Sequence, residues 1–260
     1  MGAAMSQGLA AAATLVVPCY NEERRLDGDA LVALVDARPQ LGLLLVDDGS
    51  RDGTRRLLDS VAAKRPGRIR ALGLEKNGGK AEAVRRGLTE ALTGPAELIG
   101  YFDADLSTPP SEIQRLLDAI EARRASVVMG SRVALLGTDI HRQAARHYLG
   151  RLFATAASAI LGVRVYDTQC GAKVFRRSPA LAAALETPFL SRWAFDVELL
   201  GRLLIGTPAA PPVDVAAVVE LPLQTWRDVP GSKLNPTAMA GALKDLALIR
   251  ADLARRRRLT

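Results

Sequence analysis

Leu41-Gly42-Leu43-Leu44-Leu45-Val46-Asp47-Asp48-Gly49-Ser50-Arg51-Asp52-Gly53-Thr54 is the stretch on which the reading of the fold turns. Its first half is an unbroken apolar run, of the length that suits a strand buried on both faces. It stops on two carboxylates and a Gly-Ser turn. Asp52 and Thr54 then supply the side-chain oxygens that open a helix. Strand, polar turn and helix make the repeating unit of a parallel sheet. Apolar runs at residues 14–18, 68–74, 97–103 and 126–131 read as further strands of the same kind. Between them, Ala83, Val84, Gly87, Leu88, Ala91 and Leu92 recur along one helix face. Ile113, Leu116, Leu117 and Ile120 do the same, with Thr108 expected as the N-cap and Pro109 as the first helical residue. The alternation predicts an α/β fold with one doubly wound, mostly parallel sheet, whose ligands bind beyond the carboxyl ends of the strands.

Three polar clusters fall at those ends. Asp103-Ala104-Asp105 closes the fourth run. Two carboxylates two residues apart converge on one site when the chain turns, and hard divalent cations such as Mg²⁺ or Mn²⁺ want oxygen ligands. A cation there would offset the charge of a departing nucleotide diphosphate. Alone, the triplet fits two solvated turn aspartates equally well. Asp47-Asp48-Gly49-Ser50 ends the second run, and Gly49 permits a tight turn that aims the carboxylates at a base or ribose. Helix capping accounts for part of that cluster. Pro18-Cys19-Tyr20-Asn21-Glu22-Glu23 ends the first run, where acids also favour a helix N-terminus. Three acidic strand ends in register argue for a liganded edge.

The rest of the chain is less regular. Leu149, Leu152, Phe153, Ala156 and Ile160 form a helical apolar stripe, preceded by Arg142 and Arg146 one turn apart. Residues 195–205 read as a helix, and residues 213–226 as one or two strands around Pro222. Asn235-Pro236 opens an amphipathic helix with Met239, Leu243, Leu246, Ile249 and Leu253 on one face and arginines at 255–258. That face either packs on the domain or meets lipid, with the arginines among anionic headgroups. Trp193 is expected in the core, while Trp226 is balanced between core and sugar platform. With no repeat and no long linker, the 260 residues form a single domain.

Composition bounds the function. Hydrophobic residues at 48% against 24% charged describe a packed globular chain. A net charge of +7 draws polyanions: nucleic acid, anionic lipid or phosphorylated substrates. No nucleic-acid motif accompanies it, and the strand-end acids repel phosphates unless a cation intervenes, so no nucleic-acid partner is expected. Two cysteines, Cys19 and Cys170, lack ligand spacing, and the reducing cytosol is the default compartment. The Ala-rich first 14 residues lack the charged start of a signal peptide, and no stretch has the length of a membrane span. A cytoplasmic chain, peripheral on the cytoplasmic membrane face, is the expectation.

The motifs, taken in order, resemble glycosyltransferase family 2 and its GT-A fold. They are Val17-Pro18-x-Tyr20-Asn21-Glu22-Glu23, Val46-Asp47-Asp48-Gly49-Ser50-x-Asp52-Gly53-Thr54, Asn77-x-Gly79-Lys80 and Asp103-Ala104-Asp105. Downstream, Gly130-Ser131-Arg132, Asp167-Thr168-Gln169-Cys170-Gly171-x-Lys173, Arg192-Trp193-x-Phe195-Asp196-Val197-Glu198 and Trp226-x-x-x-x-Gly231-Ser232-Lys233 are similar to the branch that glucosylates dolichyl-type polyprenyl phosphates. The resemblance implies a nucleotide-sugar half at about residues 14–132, an acceptor half at about 133–234 and the C-terminal helix at about 235–258. It implies that Pro18, Tyr20, Glu22 and Asp48 frame the nucleotide, with Lys80, Ala104 and Gln169 against the donor. Asp103 and Asp105 would hold the metal, Asp105 chiefly. Arg132 would meet the acceptor phosphate, joined on that side by Arg142, Arg146 and Lys233. The implied reaction is an inverting displacement at the anomeric carbon, from UDP-glucose to a polyprenyl phosphate. Family members with hydroxyl acceptors use an acid near Asp196 or Glu198 as base, and an ionised phosphate scarcely needs one. Asp196 otherwise reads as a helix N-terminal acid and Glu198 as the partner of a nearby arginine. Ala172 stands where the glucosyltransferases carry Phe, and Ser107-Thr108 replaces the Gln-His of the mannose branch.

Overall fold

The computed structural model describes residues 12–141, 144–227 and 236–260. Side chains alternate between the two faces of the sheet along the central strands, as a period of two demands. In β1 (Ala13–Cys19), Leu15 and Val17 enter one apolar cluster and Val16 the other. In β2 (Leu41–Asp47), Leu43 and Leu45 face one side while Leu44 and Val46 face the opposite one. Every residue of β2 is buried, which is why its sequence shows no polar alternation.

Five more strands complete the sheet: β3 (Ile69–Gly73), β4 (Leu98–Phe102), β5 (Val127–Ser131), β7 (Ala172–Arg176) and β8 (Val218–Pro222). Their order is β3-β2-β1-β4-β7-β5-β8. All run parallel except β7, which lies antiparallel between β4 and β5. The sequence reading does not anticipate this reversed strand. The doubly wound, mostly parallel sheet itself is as expected. A separate parallel pair joins β6 (Asp139–His141) to β9 (Thr225–Arg227).

Helices cover both faces. On one lie α1 (Gly28–Ala37), α2 (Thr54–Lys64) and α4 (Pro110–Ala122). On the other lie α3 (Lys80–Thr93), α5 (Ala144–Leu161), α6 (Pro179–Leu185), α7 (Phe195–Ile205) and α8 (Pro236–Arg257). The start of α4 differs from expectation by one residue. Pro109 is the N-cap, with extended φ −68° and ψ 161°, and Pro110 opens the helix. A residue that precedes proline is barred from helical ψ, so Pro109 cannot itself be helical.

The apolar face of α8 packs on the domain: Leu246, Ile249 and Leu253 are buried among residues of α5 and α7. Three of its arginines are engaged as well. Arg255 and Arg256 pair with Asp252, and Arg257 donates to the carbonyls of Ile160 and Leu161 at the end of α5. The side chains of Met239 and Leu243 lie outside the described residues. Trp193, expected in the core, is 38% exposed and meets Phe153 edge-on at 5.1 Å. Trp226 is the buried one, with the Arg132 guanidinium over its ring.

Candidate active site

The strand order reverses between β1 and β4, so the loops that leave their carboxyl ends diverge and open a crevice. A cavity of about 240 Å³ lies there. Pro18, Tyr20 and Glu22 line it from the end of β1, and Asp48 from the end of β2. Lys80 contributes from the start of α3, and Asp103, Ala104 and Asp105 from the end of β4. Residues far apart in sequence and singled out by their motifs thus share one wall.

Two βα loops are stitched together to shape that wall. The N–H of Asn21 donates to Ser50 and the N–H of Arg51 to the Asn21 side chain. The N–H of Glu22 donates to Thr54 at 2.7 Å, and the N–H of Gly53 to Glu23 at 2.9 Å. Ser50 and Thr54 of the second motif therefore hold the first motif in place. Gly49 adopts φ +65°, and a Cβ there would crowd the Asn77 N–H, so the turn requires glycine.

Asp48 turns both carboxylate oxygens on the segment before α3. They accept from the N–H groups of Gly78 and Gly79 at 2.7 and 2.8 Å and from the Asn77 side chain at 3.0 Å. Burial pushes its pKa up and these N–H groups pull against that rise. Arg192 clamps the same segment from above, donating to Gly78 O at 2.9 Å and to the Asn77 side chain at 3.1 Å. Glu22 is pushed up by burial too, although Arg25 binds it through both oxygens.

Lys80 and Asp103 meet in an ion pair at 2.5 Å. Burial disfavours the ammonium, but Asp103, then Asp196, outweigh it and hold the lysine above its ordinary range. Asp103 is itself packed tightly: a Cβ on Gly171 would overlap its carboxylate. The loop before β7 therefore presses directly on the end of β4. Asp105 accepts the N–H of Ser107 at 3.0 Å. Among the described residues no group of three or more His, Cys, Asp or Glu is arranged around a common metal position. Two carboxylates at the rim of a cavity nonetheless fit a hard cation of the Mg²⁺ type, which completes its shell with phosphate oxygens and water.

Beneath this wall lies a buried polar network. Asp196, at the first turn of α7, accepts from Lys173 at 2.6 Å and from the Tyr101 hydroxyl. Lys173 also donates to the Cys170 carbonyl at 2.6 Å. In the sequence, Lys173 and Arg192 stand within motifs without an assigned task, and Tyr101 stands in none. A lysine flanked by apolar residues in Ala172-Lys173-Val174-Phe175 is the signal that was available. Glu198 is completely buried in an ion pair with Arg202 at 2.5 Å, and neither it nor Asp196 lines the cavity.

Arg132 and Gln169 stand apart from the cavity lining. Asp167 grips Arg132 through Nε at 2.6 Å, through a terminal nitrogen at 2.8 Å and through the backbone N–H at 3.1 Å. The carboxylate holds the guanidinium firmly charged against the cost of burial. The same carboxylate accepts the N–H of Gln169 at 3.1 Å. The buried Nε2 of Gln169 has no hydrogen-bond partner among the described residues. Arg142 and Lys233 lie outside the described residues, as does the side chain of Arg146.

Comparison with known proteins places this geometry. Residues 14–181 match the family described as Glycosyl transferase family 2. A dolichyl-phosphate beta-glucosyltransferase of Dictyostelium discoideum is 32% identical over 252 residues, covering 91% of this chain and 73% of that protein. The human dolichyl-phosphate beta-glucosyltransferase is 31% identical, covering 86% of this chain and 69% of its own length. A polyprenol monophosphomannose synthase of Mycolicibacterium smegmatis is 30% identical, covering 90% and 84%. Among solved structures, glucosyl-3-phosphoglycerate synthase from Mycobacterium tuberculosis, in complex with Mn²⁺, UDP-glucose and phosphoglyceric acid, superposes with a TM-score of 0.64 at 17% identity. That match covers 93% of this chain and 80% of the other, and it gives the GT-A fold.

Proposed function

The chain belongs to glycosyl transferase family 2, and from that premise we propose that it moves glucose from UDP-glucose to a polyprenyl phosphate at the cytoplasmic face of a membrane. One observation carries the reading: Asp103, Asp105 and Lys80 converge on a single cavity at the switch point of the sheet. Asp103 and Asp105 would hold a divalent cation, Mg²⁺ or Mn²⁺, which when bound offsets the charge on the departing diphosphate. Lys80, tied to Asp103 at the same cavity, would add positive charge toward the same phosphate oxygens. Pro18, Tyr20, Glu22 and Asp48 frame the base and ribose, Asp48 by fixing the Asn77–Gly79 turn. A phosphate oxygen of the acceptor attacks the anomeric carbon from the face opposite the diphosphate, and the configuration inverts. Arg132 is the acceptor-side cation, oriented by Asp167.

No side chain needs to take a proton, because the acceptor phosphate is already ionised at neutral pH. This agrees with the state of the two acids that a hydroxyl acceptor would require. Asp196 is committed to Lys173 and Tyr101, and Glu198 to Arg202. Relatives named for glucose and for mannose transfer share the polyprenyl-type acceptor in their names, so the acceptor is the better supported half of the reading. The test offers labelled UDP-glucose, and a labelled mannose donor in parallel, with polyprenyl phosphate and Mg²⁺. Label entering the organic phase from UDP-glucose is the expected result. Label that stays in water, with glucose transferred and UDP released only when a soluble hydroxyl acceptor is supplied, would replace the lipid by that acceptor.

A further inference from the structure

The loop between β5 and β6 leaves the carboxyl edge of the sheet at Arg132 and turns sharply at residues 135–138. Thr138 locks the turn. Its N–H and its hydroxyl donate to the Leu135 carbonyl at 3.1 and 2.8 Å, and its oxygen accepts the Leu135 N–H at 3.0 Å. Gly137 supplies φ +85°, in open space. The outcome is a preformed knuckle on which Leu135 is half exposed and Leu136 fully exposed. Two adjacent leucines held out in water by three hydrogen bonds do nothing for the core. On α8, by contrast, Leu246, Ile249 and Leu253 are packed inward and Leu248 alone among its described leucines is half exposed.

A second apolar pair lies at the same edge. Trp193 precedes α7, and its neighbour Arg192 is bonded to the turn before α3, beside the cavity. Leu152 adjoins Phe153, which touches Trp193, and both Leu152 and Trp193 are exposed. Each has an exposed arginine next to it in sequence, Arg151 and Arg192. Apolar side chains interleaved with cations, on a chain of net charge +7, are the chemistry of an anionic lipid surface. They do not suit a second copy of the chain. Two leucines cover far less than the roughly 800 Å² a side that a stable protein interface buries.

We propose that the Leu135-Leu136 knuckle inserts into the headgroup boundary of an anionic bilayer and turns the mouth of the active site toward it. This rests on the reading of the acceptor as a membrane lipid. The knuckle follows Arg132 by three residues, so insertion sets the depth at which the acceptor phosphate meets that arginine. The contact is made by the acceptor-side loop, and α8 is left as a structural helix.

The test uses the full chain and vesicles of phosphatidylcholine mixed with phosphatidylglycerol. An environment-sensitive dye on Leu136→Cys reports insertion, and Cys19 and Cys170 are buried and do not compete for label. The dye emission is expected to shift to the blue on vesicles. Leu135→Asp/Leu136→Asp is expected to weaken vesicle binding about tenfold or more, as removal of two inserting leucines demands. An unshifted dye, or equal sedimentation of the double variant, overturns the proposal. So does a concentration-dependent dimer that the double variant abolishes, since the knuckle would then be a protein contact. Transfer to a short-chain, water-soluble prenyl phosphate is measured in parallel without vesicles. It is expected to be the same in the parent and the double variant. Its complete absence in the parent would remove the acceptor assignment while leaving the vesicle result to stand by itself.

Discussion

Asp196 shows how far a single residue can be read from sequence. Its position in the motif marks it as a base, and its place at a helix start marks it as a dipole-stabilised acid. The structure shows a third condition, a carboxylate buried against Lys173 and Tyr101. Lys173 was legible only as a letter in a motif, because its charge suggests surface and its burial depends on a partner 23 residues away. The pair dictates how substitution must be read. Asp196→Asn leaves the Lys173 ammonium buried without a counter-charge, which costs about 3–5 kcal/mol. Lys173→Met with Asp196→Asn is expected to recover most of that stability in urea denaturation. Transfer per folded molecule in the double variant should fall less than the 10²–10⁴-fold that general-base assistance supplies. A loss within that range, in protein shown to be folded, would return Asp196 to proton abstraction. Asp105 allows a simpler test. It is partly exposed and binds one N–H, so Asp105→Ala costs only about 1 kcal/mol of stability. Calorimetry with UDP-glucose and Mn²⁺ is expected to show binding that no longer depends on the metal, and undiminished metal dependence would take Asp105 out of the site.

At the scale of elements, the five parallel strands β1 to β5 were readable because each is a short, largely apolar run that ends near polar residues. The helices α3, α4, α7 and α8 were readable from their apolar faces. What sequence periodicity could not supply is partnership. Residues 172–176 carry a lysine inside the run and arginines at its end, so no buried strand is read there from the sequence. Only the pairing of Phe102 with Ala172 and of Val127 with Phe175 makes them a central strand running backwards. This reversal brings the loop before β7 to the carboxyl end of β4, where Gly171 touches Asp103. The site needs that contact to be close. Gly171→Ala forces the Asp103 carboxylate off Lys80 or pushes the loop back, at about 1–3 kcal/mol for overpacking. We expect donor binding to weaken about tenfold or more, with circular dichroism unchanged. Full affinity for UDP-glucose in the variant would mean that Asp103 has freedom the packing denies it.

At the scale of the whole molecule, the question is whether the stretches before and after about residue 132 are separate folding units. The sheet argues that they are not. Its central strands feed both apolar layers at once, Leu15, Val17, Leu43 and Leu45 on one face and Val16, Leu44, Val46 and Tyr101 on the other. The reversed β7, from beyond residue 132, pairs with β4 from before it. The last helix reaches back too, because Leu253 of α8 packs against Gly201 of α7, in the cluster that also holds Val16. Neither layer can melt without exposing a face of the same strands. Leu117, in α4, and Leu253, in α8, lie in opposite layers and are both fully buried. Changing either to Ala removes buried methyl groups and leaves a cavity, at about 2–5 kcal/mol. For a domain of this size that corresponds to roughly 4–20 °C in Tm. Scanning calorimetry is expected to show one transition in the parent protein and one in each variant, shifted as a whole whichever layer was changed. Two transitions, one moved by Leu117→Ala and the other by Leu253→Ala, would divide the chain into two folding units.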